Sequence, residues 1–111
     1  MSMGEAARAH DPAPIFAALG DRTRLSLLMT LSDGRTRSIT MLSADTRLTR
    51  QAVTKHLRVL EQVGLVESVR RGRESRFACR PEPLDAARGY LDRVAAQWDD
   101  ALGRLKAFVE G

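Results

Sequence analysis

Apolar residues recur every three or four positions through the first half of the chain, a spacing typical of helices that bury one face. The stretch "PAPIFAALG", residues 12–20, predicts a short first helix that Gly20 ends. Residues 21–34 predict a second helix with Asp21 as its cap. The residues expected to form the buried stripe of this second helix are Leu25, Leu28, Met29 and Leu31.

Two further helices are predicted close together. Residues 38–46, "SITMLSADT", predict a short third helix. A brief connection leads to Thr49, a residue suited to cap a fourth helix that runs from Arg50 to about Val63. A short helix joined by a tight turn to a longer one is typical of a helix-turn-helix, which we expect over residues 36–63.

After the fourth helix the pattern changes to short runs rich in β-branched and aromatic residues. "LVESVRR" and "ESRFACR" flank Gly72 and predict a two-stranded hairpin over residues 65–80. The prolines of "RPEP" end it, and the rest of the chain predicts one long helix over residues 84–109. The order helix-helix-helix-helix-strand-strand-helix predicts a mainly α fold with a small β-hairpin, one domain over residues 12–111 after a flexible N-terminus of residues 1–11.

Basic residues are concentrated in the middle third of the chain. The net charge is +4 overall, yet residues 1–46 carry five basic and five acidic side chains, and residues 81–111 are net −2. Residues 47–80 hold nine basic and three acidic side chains and are therefore net +6. A local excess of this kind favours a polyanion as the partner, the alternative being an ordinary solvated basic face.

The fourth helix separates its apolar and polar residues. At about 100° per residue, Val53, Leu57 and Leu60 share one buried stripe. The opposite side offers amide, hydroxyl and cationic groups, which read base edges and phosphates in a DNA major groove. A merely solvated face is the competing interpretation, and the neighbouring helix-turn-helix and basic hairpin argue against it. The polar side chains are Gln51, Thr54, Lys55, Arg58 and Gln62.

The basic hairpin adds a second set of candidate contacts. Its sequence "RRGRESR" places arginines on both sides of the predicted turn. Such a tip can lie along the DNA backbone or enter a narrow minor groove. The candidate DNA-binding residues of the hairpin are Arg71, Arg73 and Arg76.

The stretches "ALGDRTRLSLLMTL" and "TRQAVTKHLRVLEQVGLVESVRRGRESRF" resemble the ArsR-type (ArsR/SmtB) winged helix-turn-helix repressors. The resemblance covers roughly residues 15–77, and the last helix stands in the expected place. It implies a homodimer whose fourth helix reads the major groove and whose hairpin, the wing, contacts DNA through Arg73. On the fourth helix the resemblance implies DNA contacts by Thr49, Arg50, Gln51, Thr54, Lys55 and His56.

The last helix carries a heptad stripe of apolar residues spaced alternately three and four apart. We expect this stripe, with Ile15 and Phe16 of the first helix, to form the contact between two copies, the alternative being packing on its own domain alone. A two-fold dimer places two recognition helices about 34–36 Å apart and predicts a near-palindromic operator. The stripe consists of Leu84, Ala87, Leu91, Val94, Trp98, Ala101, Leu105 and Phe108.

Metal-sensing members of the resembled family carry cysteine pairs or His, Asp and Glu sets that this chain lacks. Its one cysteine and two histidines are Cys79, His10 and His56, which are too few and too scattered for a thiolate or imidazole site. We therefore expect no metal and no cofactor. Cys79 is interpreted as a small buried apolar residue, since a disulfide switch would need a partner across the dimer. The effector is left open between a small molecule, a partner protein and none.

Together these features predict a sequence-specific DNA-binding regulator, by the resemblance a homodimeric repressor that occludes a promoter. The alternative is a winged-helix protein-interaction module without specific DNA reading. An enzyme is not expected, because no nucleophile–base pair or glycine-rich phosphate loop is present in the sequence. The chain has no apolar run near the roughly 20 residues of a membrane helix and no signal-peptide pattern, so we expect a cytoplasmic protein without membrane attachment.

Overall fold

A computed structural model describes residues 11–111. The predicted flexible segment over residues 1–11 therefore lies outside the described residues, apart from Asp11, and so does His10. The elements in chain order are helix α1 Ala13–Leu19, helix α2 Arg22–Leu31, strand β1 Arg37–Ser38, helix α3 Ile39–Thr46, helix α4 Arg50–Gln62, strand β2 Val66–Arg71, strand β3 Glu74–Cys79 and helix α5 Glu82–Glu110.

Three of the helices begin where a side chain satisfies a backbone N–H that the first turn leaves without a partner. Asp21, Ser38 and Thr49 each accept a hydrogen bond from the backbone N–H three residues later, at 3.0, 3.2 and 3.1 Å. The predicted caps Asp21 and Thr49 are confirmed. The cap at Ser38 fixes the start of α3 and, with it, the approach of the chain to the helix-turn-helix.

The core is mostly aliphatic and lies between the helices and one face of the sheet. The predicted stripe of α2 is partly wrong, because Leu25 is 46% exposed and Met29 is 70% exposed. Leu27 is fully buried in their place, beside Leu28 and Leu31. Apolar residues occupy two adjacent sides of α2, and packing against α4 selects the side that periodicity alone left ambiguous. The core cluster comprises Ala18, Leu27, Leu28, Leu31, Leu42, Val53, Leu57, Leu60, Leu65, Val66 and Phe77.

The sheet has three strands in the order β1-β3-β2, all antiparallel. The predicted hairpin is confirmed as β2 and β3, with Gly72 in the left-handed region at φ 63° in the turn between them. The short strand β1 was not predicted, because two residues carry no periodicity. It is set by pairing Ser38 with Arg76 of β3. The wing is thereby tied directly to the start of α3.

Helix α5 makes the chain elongated. Its 29 residues span about 43 Å at ~1.5 Å per residue. The radius of gyration is 18.6 Å, against about 13 Å for a compact chain of roughly 100 residues. The first third of α5 packs against α1, where the ring centroids of Phe16 and Tyr90 lie 5.9 Å apart. Of the helices within residues 11–111, none has the length and apolar character needed to cross a membrane.

Candidate nucleic-acid interface

Helix α4 presents its polar residues on one open side of the molecule. Val53, Leu57 and Leu60 are buried in the core, which fixes the rotation of the helix. Their burial turns the opposite side chains toward solvent. These side chains line an open groove together with Ile39 of α3, and the polar residues of that groove are Arg50, Gln51, Thr54, Lys55 and Arg58. The structure thus brings together the polar face expected from the sequence.

The polar groups on this face differ in whether they already have a hydrogen-bond partner within the fold. The Thr54 hydroxyl donates to the Arg50 carbonyl at 2.8 Å, and the Thr49 hydroxyl oxygen accepts the capping N–H. Gln51, Lys55 and Arg58 are exposed, and within residues 11–111 their side chains form no hydrogen bond or ion pair with protein groups. Three long donors therefore project from α4 without a partner in the described part of the chain.

A carboxylate at the edge of this face is already engaged. Glu61 accepts a hydrogen bond from the Ser68 hydroxyl of β2 at 2.9 Å. The first turn of α4 contains no acidic residue. The exposed face is consequently cationic, which suits a phosphate-lined surface.

The wing places two of its arginines beside the start of α4. A second open groove joins the start of α3, the start of α4 and strand β3, and its walls include Arg50, Arg73 and Arg76. Arg71 and Arg73 flank the turn and are exposed. Arg76 is half-buried, and its Nε atom lies 3.2 Å from the Glu74 carboxylate. Among the three predicted wing contacts, only Arg76 is therefore held by an acidic neighbour within the described chain.

His56 lies apart from the other residues assigned to DNA contact. Its side chain is 22% exposed, and Nδ1 lies 3.8 Å from the Asp21 carboxylate at the start of α2. This Nδ1 atom is buried and has no hydrogen-bond partner in the described part of the chain. The pKa of Asp21 lies below its ordinary value, first because the Arg24 backbone N–H donates to the carboxylate. The histidine thus faces the joint between α2 and α4.

The residues predicted to join two copies fall into two groups. Those near the start of α5 are covered by their own domain: Ala87 is only 4% exposed, and Leu84 packs against the core. Ile15 also packs on the core, and Phe16 contacts Tyr90. Within the single chain, Ala87 therefore contacts its own domain, because α5 first crosses that domain.

The second half of α5 is different. Trp98 is 65% exposed and Phe108 is 83% exposed. Val94 and Ala101 are half-buried within the single chain. Leu102 and Val109 lie beside the predicted stripe and widen it. The further exposed apolar side chains of this half are Leu102, Leu105 and Val109, and Leu91 is exposed just ahead of it.

Other candidate chemistry is sparse in the described residues. Within residues 11–111, no three His, Cys, Asp or Glu side chains lie together in a way that could hold a metal ion. Cys79 is half-buried against the core, and burial, followed by the nearby Glu82 charge, raises the pKa of its thiol. A raised pKa keeps the thiol protonated and poorly reactive at neutral pH.

Arg47, which lies in the turn between α3 and α4, was not among the residues predicted to contact DNA. Its backbone has φ 60° and ψ 17°, and its side chain is exposed. A tight turn without glycine in "DTRLT" was the signal available in the sequence.

Known proteins share this architecture and much of the sequence. The sequence model described as a helix-turn-helix domain matches residues 19–69. The chain is 39% identical over 85 residues to an uncharacterized HTH-type transcriptional regulator, YuzN, of Bacillus subtilis (strain 168), covering 70% of this chain and 92% of that protein. This alignment extends beyond the helix-turn-helix itself.

Solved structures agree over most of the length. An ArsR-like transcriptional regulator from Rhodococcus sp. RHA1 matches with a TM-score of 0.82 at 38% identity, covering 99% of this chain and 97% of that one. A homodimeric winged helix-turn-helix DNA-binding domain, Mb0332 from Mycobacterium bovis, matches with a TM-score of 0.65 at 28% identity, covering 87% and 88%. The chain belongs to the ArsR-like helix-turn-helix family, whose members are DNA-binding transcriptional regulators rather than enzymes.

Proposed function

We propose that this chain is a homodimeric repressor that binds a near-palindromic operator and occludes a promoter. The observation that carries the proposal is the exposed face of α4, on which Gln51, Lys55 and Arg58 project without partners in the described chain. Base reading needs donors and acceptors that are free to engage a groove. If these side chains of α4 were only an ordinary solvated face, they would have no reason to lie beside a basic wing.

The side chains of α4 divide by chemistry. Gln51 suits a bidentate contact with adenine, and Arg58 suits one with guanine. Lys55 serves a base or a phosphate, while Thr49 and Arg50 at the helix start lie where the backbone passes. Thr54 keeps only part of its hydrogen-bonding capacity, because its hydroxyl already donates to Arg50.

The wing supplies sequence-independent affinity. Arg71 and Arg73 reach the phosphates or the minor groove beside the recognition site. Arg76 joins them by exchanging Glu74 for a phosphate. His56 stays outside this set, because its Nδ1 atom faces Asp21.

The exposed half of α5 supports the dimer. A protruding helix with Trp98 and Phe108 in water leaves apolar surface that a second copy would cover, at about 25 cal/mol per Å² of buried area. The stripe is self-complementary if two copies run antiparallel. Its layers then pair Leu91 with Phe108, Val94 with Leu105, and the large Trp98 with the small Ala101.

A two-fold dimer accounts for the rest of the proposal. It sets two copies of α4 into successive major grooves, roughly 34–36 Å apart, so that the operator repeats in inverted form. The Mycobacterium bovis domain described as homodimeric supports this assembly. Repression by occlusion follows from the family resemblance, and the cytoplasmic location stays a prediction from the sequence.

Selection of genomic fragments by the purified protein at about 0.15 M salt, followed by sequencing, tests the proposal. Recovery of an inverted repeat with half-sites about one helical turn apart is the expected result. Binding without a motif, weak and lost as salt rises, would contradict specific reading. A main binding activity that ignores salt would favour a protein-interaction module instead.

A further inference from the structure

We infer that Arg47, in the turn of the helix-turn-helix, is a DNA-backbone contact kept at the expense of a strained backbone. The inference rests on the proposed function, because it assigns a further contact to the same interface. It concerns a residue outside the polar face of α4 and outside the wing.

The backbone of Arg47 adopts an uncommon conformation for a residue with a side chain. Its φ of 60° lies in the left-handed region, and it is the C-cap of α3. The other positive-φ residues within residues 11–111 are the glycines Gly34, Gly64 and Gly72. In this region Cβ crowds the following carbonyl oxygen, so glycine or asparagine is the usual residue at such a helix end.

The conformation is imposed by the residues around Arg47. The hydroxyl of Ser43 donates to the carbonyl of Leu48, and Thr46 donates to the carbonyl of Leu42 at 2.6 Å. Leu48 also packs against the core. These contacts close the turn without any contribution from the arginine side chain.

Contacts among the described residues do not explain why an arginine stands at position 47. The side chain is exposed, and within residues 11–111 its guanidinium forms no ion pair or hydrogen bond. Asp45, two residues before it, forms no ion pair with Arg47 in the described residues. A cation near a helix C-terminus does gain from the helix dipole, but at that site asparagine or glycine would remove the strain.

Its position suits a phosphate. Arg47 lies two residues before the cap Thr49, so its Cα is at most about 7 Å from the end of α4 that enters the groove. The first turn of α4 adds Arg50 and contains no acidic residue. In helix-turn-helix complexes the element preceding the recognition helix crosses the DNA backbone.

The test compares variants of the full chain on its selected operator and on random DNA at several salt concentrations, with melting temperature measured in parallel. Arg47→Gly should raise the melting temperature by about 2–6 °C, because glycine accepts the left-handed backbone. It should weaken binding to both DNAs about three- to tenfold and lower the slope of log K against log salt by about one.

Two variants serve as controls. Arg47→Lys keeps the charge and the strain, so it should keep the salt slope and the melting temperature. Arg35→Gln removes an exposed charge ahead of β1, at the end of the sheet away from the Gly72 turn, and should leave the slope unchanged.

Two results would overturn the inference while leaving the proposed function in place. One is an unchanged slope for Arg47→Gly beside a wild-type chain that binds its operator. The other is a lowered melting temperature for Arg47→Gly, which would show that the arginine stabilises the turn. Absence of salt-dependent DNA binding by the wild-type chain would instead overturn the proposed function, and this inference with it.

Discussion

The Nδ1 atom of His56 in α4 lies 3.8 Å from the Oδ2 atom of Asp21, the residue that caps α2. The same carboxylate accepts the Arg24 backbone N–H, and the Arg24 guanidinium donates to the carbonyl of Ala18 at 2.7 Å. One polar joint therefore links the end of α1, the start of α2 and the recognition helix. This joint lies where α4 packs against α2.

Neighbouring residues of α4 should consequently respond in opposite ways. His56→Ala should lower the free energy of unfolding by about 1 kcal/mol, a typical cost for a partly buried contact, and leave operator affinity unchanged. Lys55→Ala should leave stability within about 0.5 kcal/mol and weaken DNA binding. Denaturant unfolding and fluorescence anisotropy measure the two quantities. A loss of affinity for His56→Ala equal to that for Lys55→Ala would restore the histidine to the DNA contacts.

Gln51 and Arg58 are assigned to base edges. Gln51→Ala and Arg58→Ala should each weaken operator binding by about 1–3 kcal/mol while changing random-DNA binding much less. The difference arises because only the operator offers the matching donors and acceptors. Titration of both DNAs at one salt concentration measures it. Equal losses on operator and random DNA would reduce these residues to backbone contacts.

The two neighbouring charges of the wing give a matched pair. Arg73→Ala should weaken binding to both DNAs and lower the salt slope by about one, because one phosphate contact is lost. Glu74→Gln should strengthen binding to both, since it releases Arg76 from its 3.2 Å ion pair and removes a negative charge. Salt titrations of operator and random DNA check both. A slope unaffected by Arg73→Ala would contradict the wing assignment.

The apolar half of α5 predicts the oligomeric state. Trp98→Glu should convert the dimer to a folded monomer, because the charge would be buried between copies. Operator affinity should fall sharply with it. Ala96→Glu places the same charge on the exposed opposite side of α5 and should leave the dimer intact. Sedimentation equilibrium distinguishes the two. A Trp98→Glu dimer as stable as the wild type would place the contact elsewhere.

The ion pair between Arg37 and Asp33 predicts an acid dependence. The Arg37 side chain, followed by the Arg35 backbone N–H, lowers the pKa of Asp33 from 3.8 to about 2. Because the folded pKa is depressed, this contribution is fully present above about pH 4 and is lost as pH falls through about 2. Asp33→Asn should therefore be less stable than wild type at pH 7 and nearly equal to it near pH 2.

Denaturant unfolding across pH 2–7 measures this difference, with Asp92→Asn as a control on an exposed side of α5. The control should track the wild type at every pH. A stability gap for Asp33→Asn that stays constant with pH would show that the ion pair does not act through proton binding.

Local patterns predicted most of the fold. The caps Asp21 and Thr49 act on the N–H three residues ahead, and the stripe of α4 repeats at helical spacing, so both can be seen in the sequence. The strand β1 could not, because it exists only through pairing with β3. The prediction for the buried side of α2 was partly wrong for a related reason, since packing against α4 determines that Leu27 rather than Leu25 is buried.

For the candidate DNA-binding surface too, local patterns were predictable and contacts between distant residues were not. The polar face of α4 was predictable because its apolar side is unambiguous. The orientation of His56 was not, since Asp21 is distant in sequence and meets the ring only in the folded chain. The strain at Arg47 belongs to the same class, because the contacts of Ser43 and Leu48 impose it.

Operator binding with one half-site scrambled tests the central claim of a two-fold, base-reading dimer most directly. Affinity would be measured by anisotropy at about 0.15 M salt for the intact and the half-scrambled operator, with stoichiometry from sedimentation. The account predicts one dimer per intact operator and at least about a hundredfold weaker binding to the half-scrambled DNA, since several base contacts of about 1–3 kcal/mol each are lost. Equal affinity for the two DNAs would contradict it.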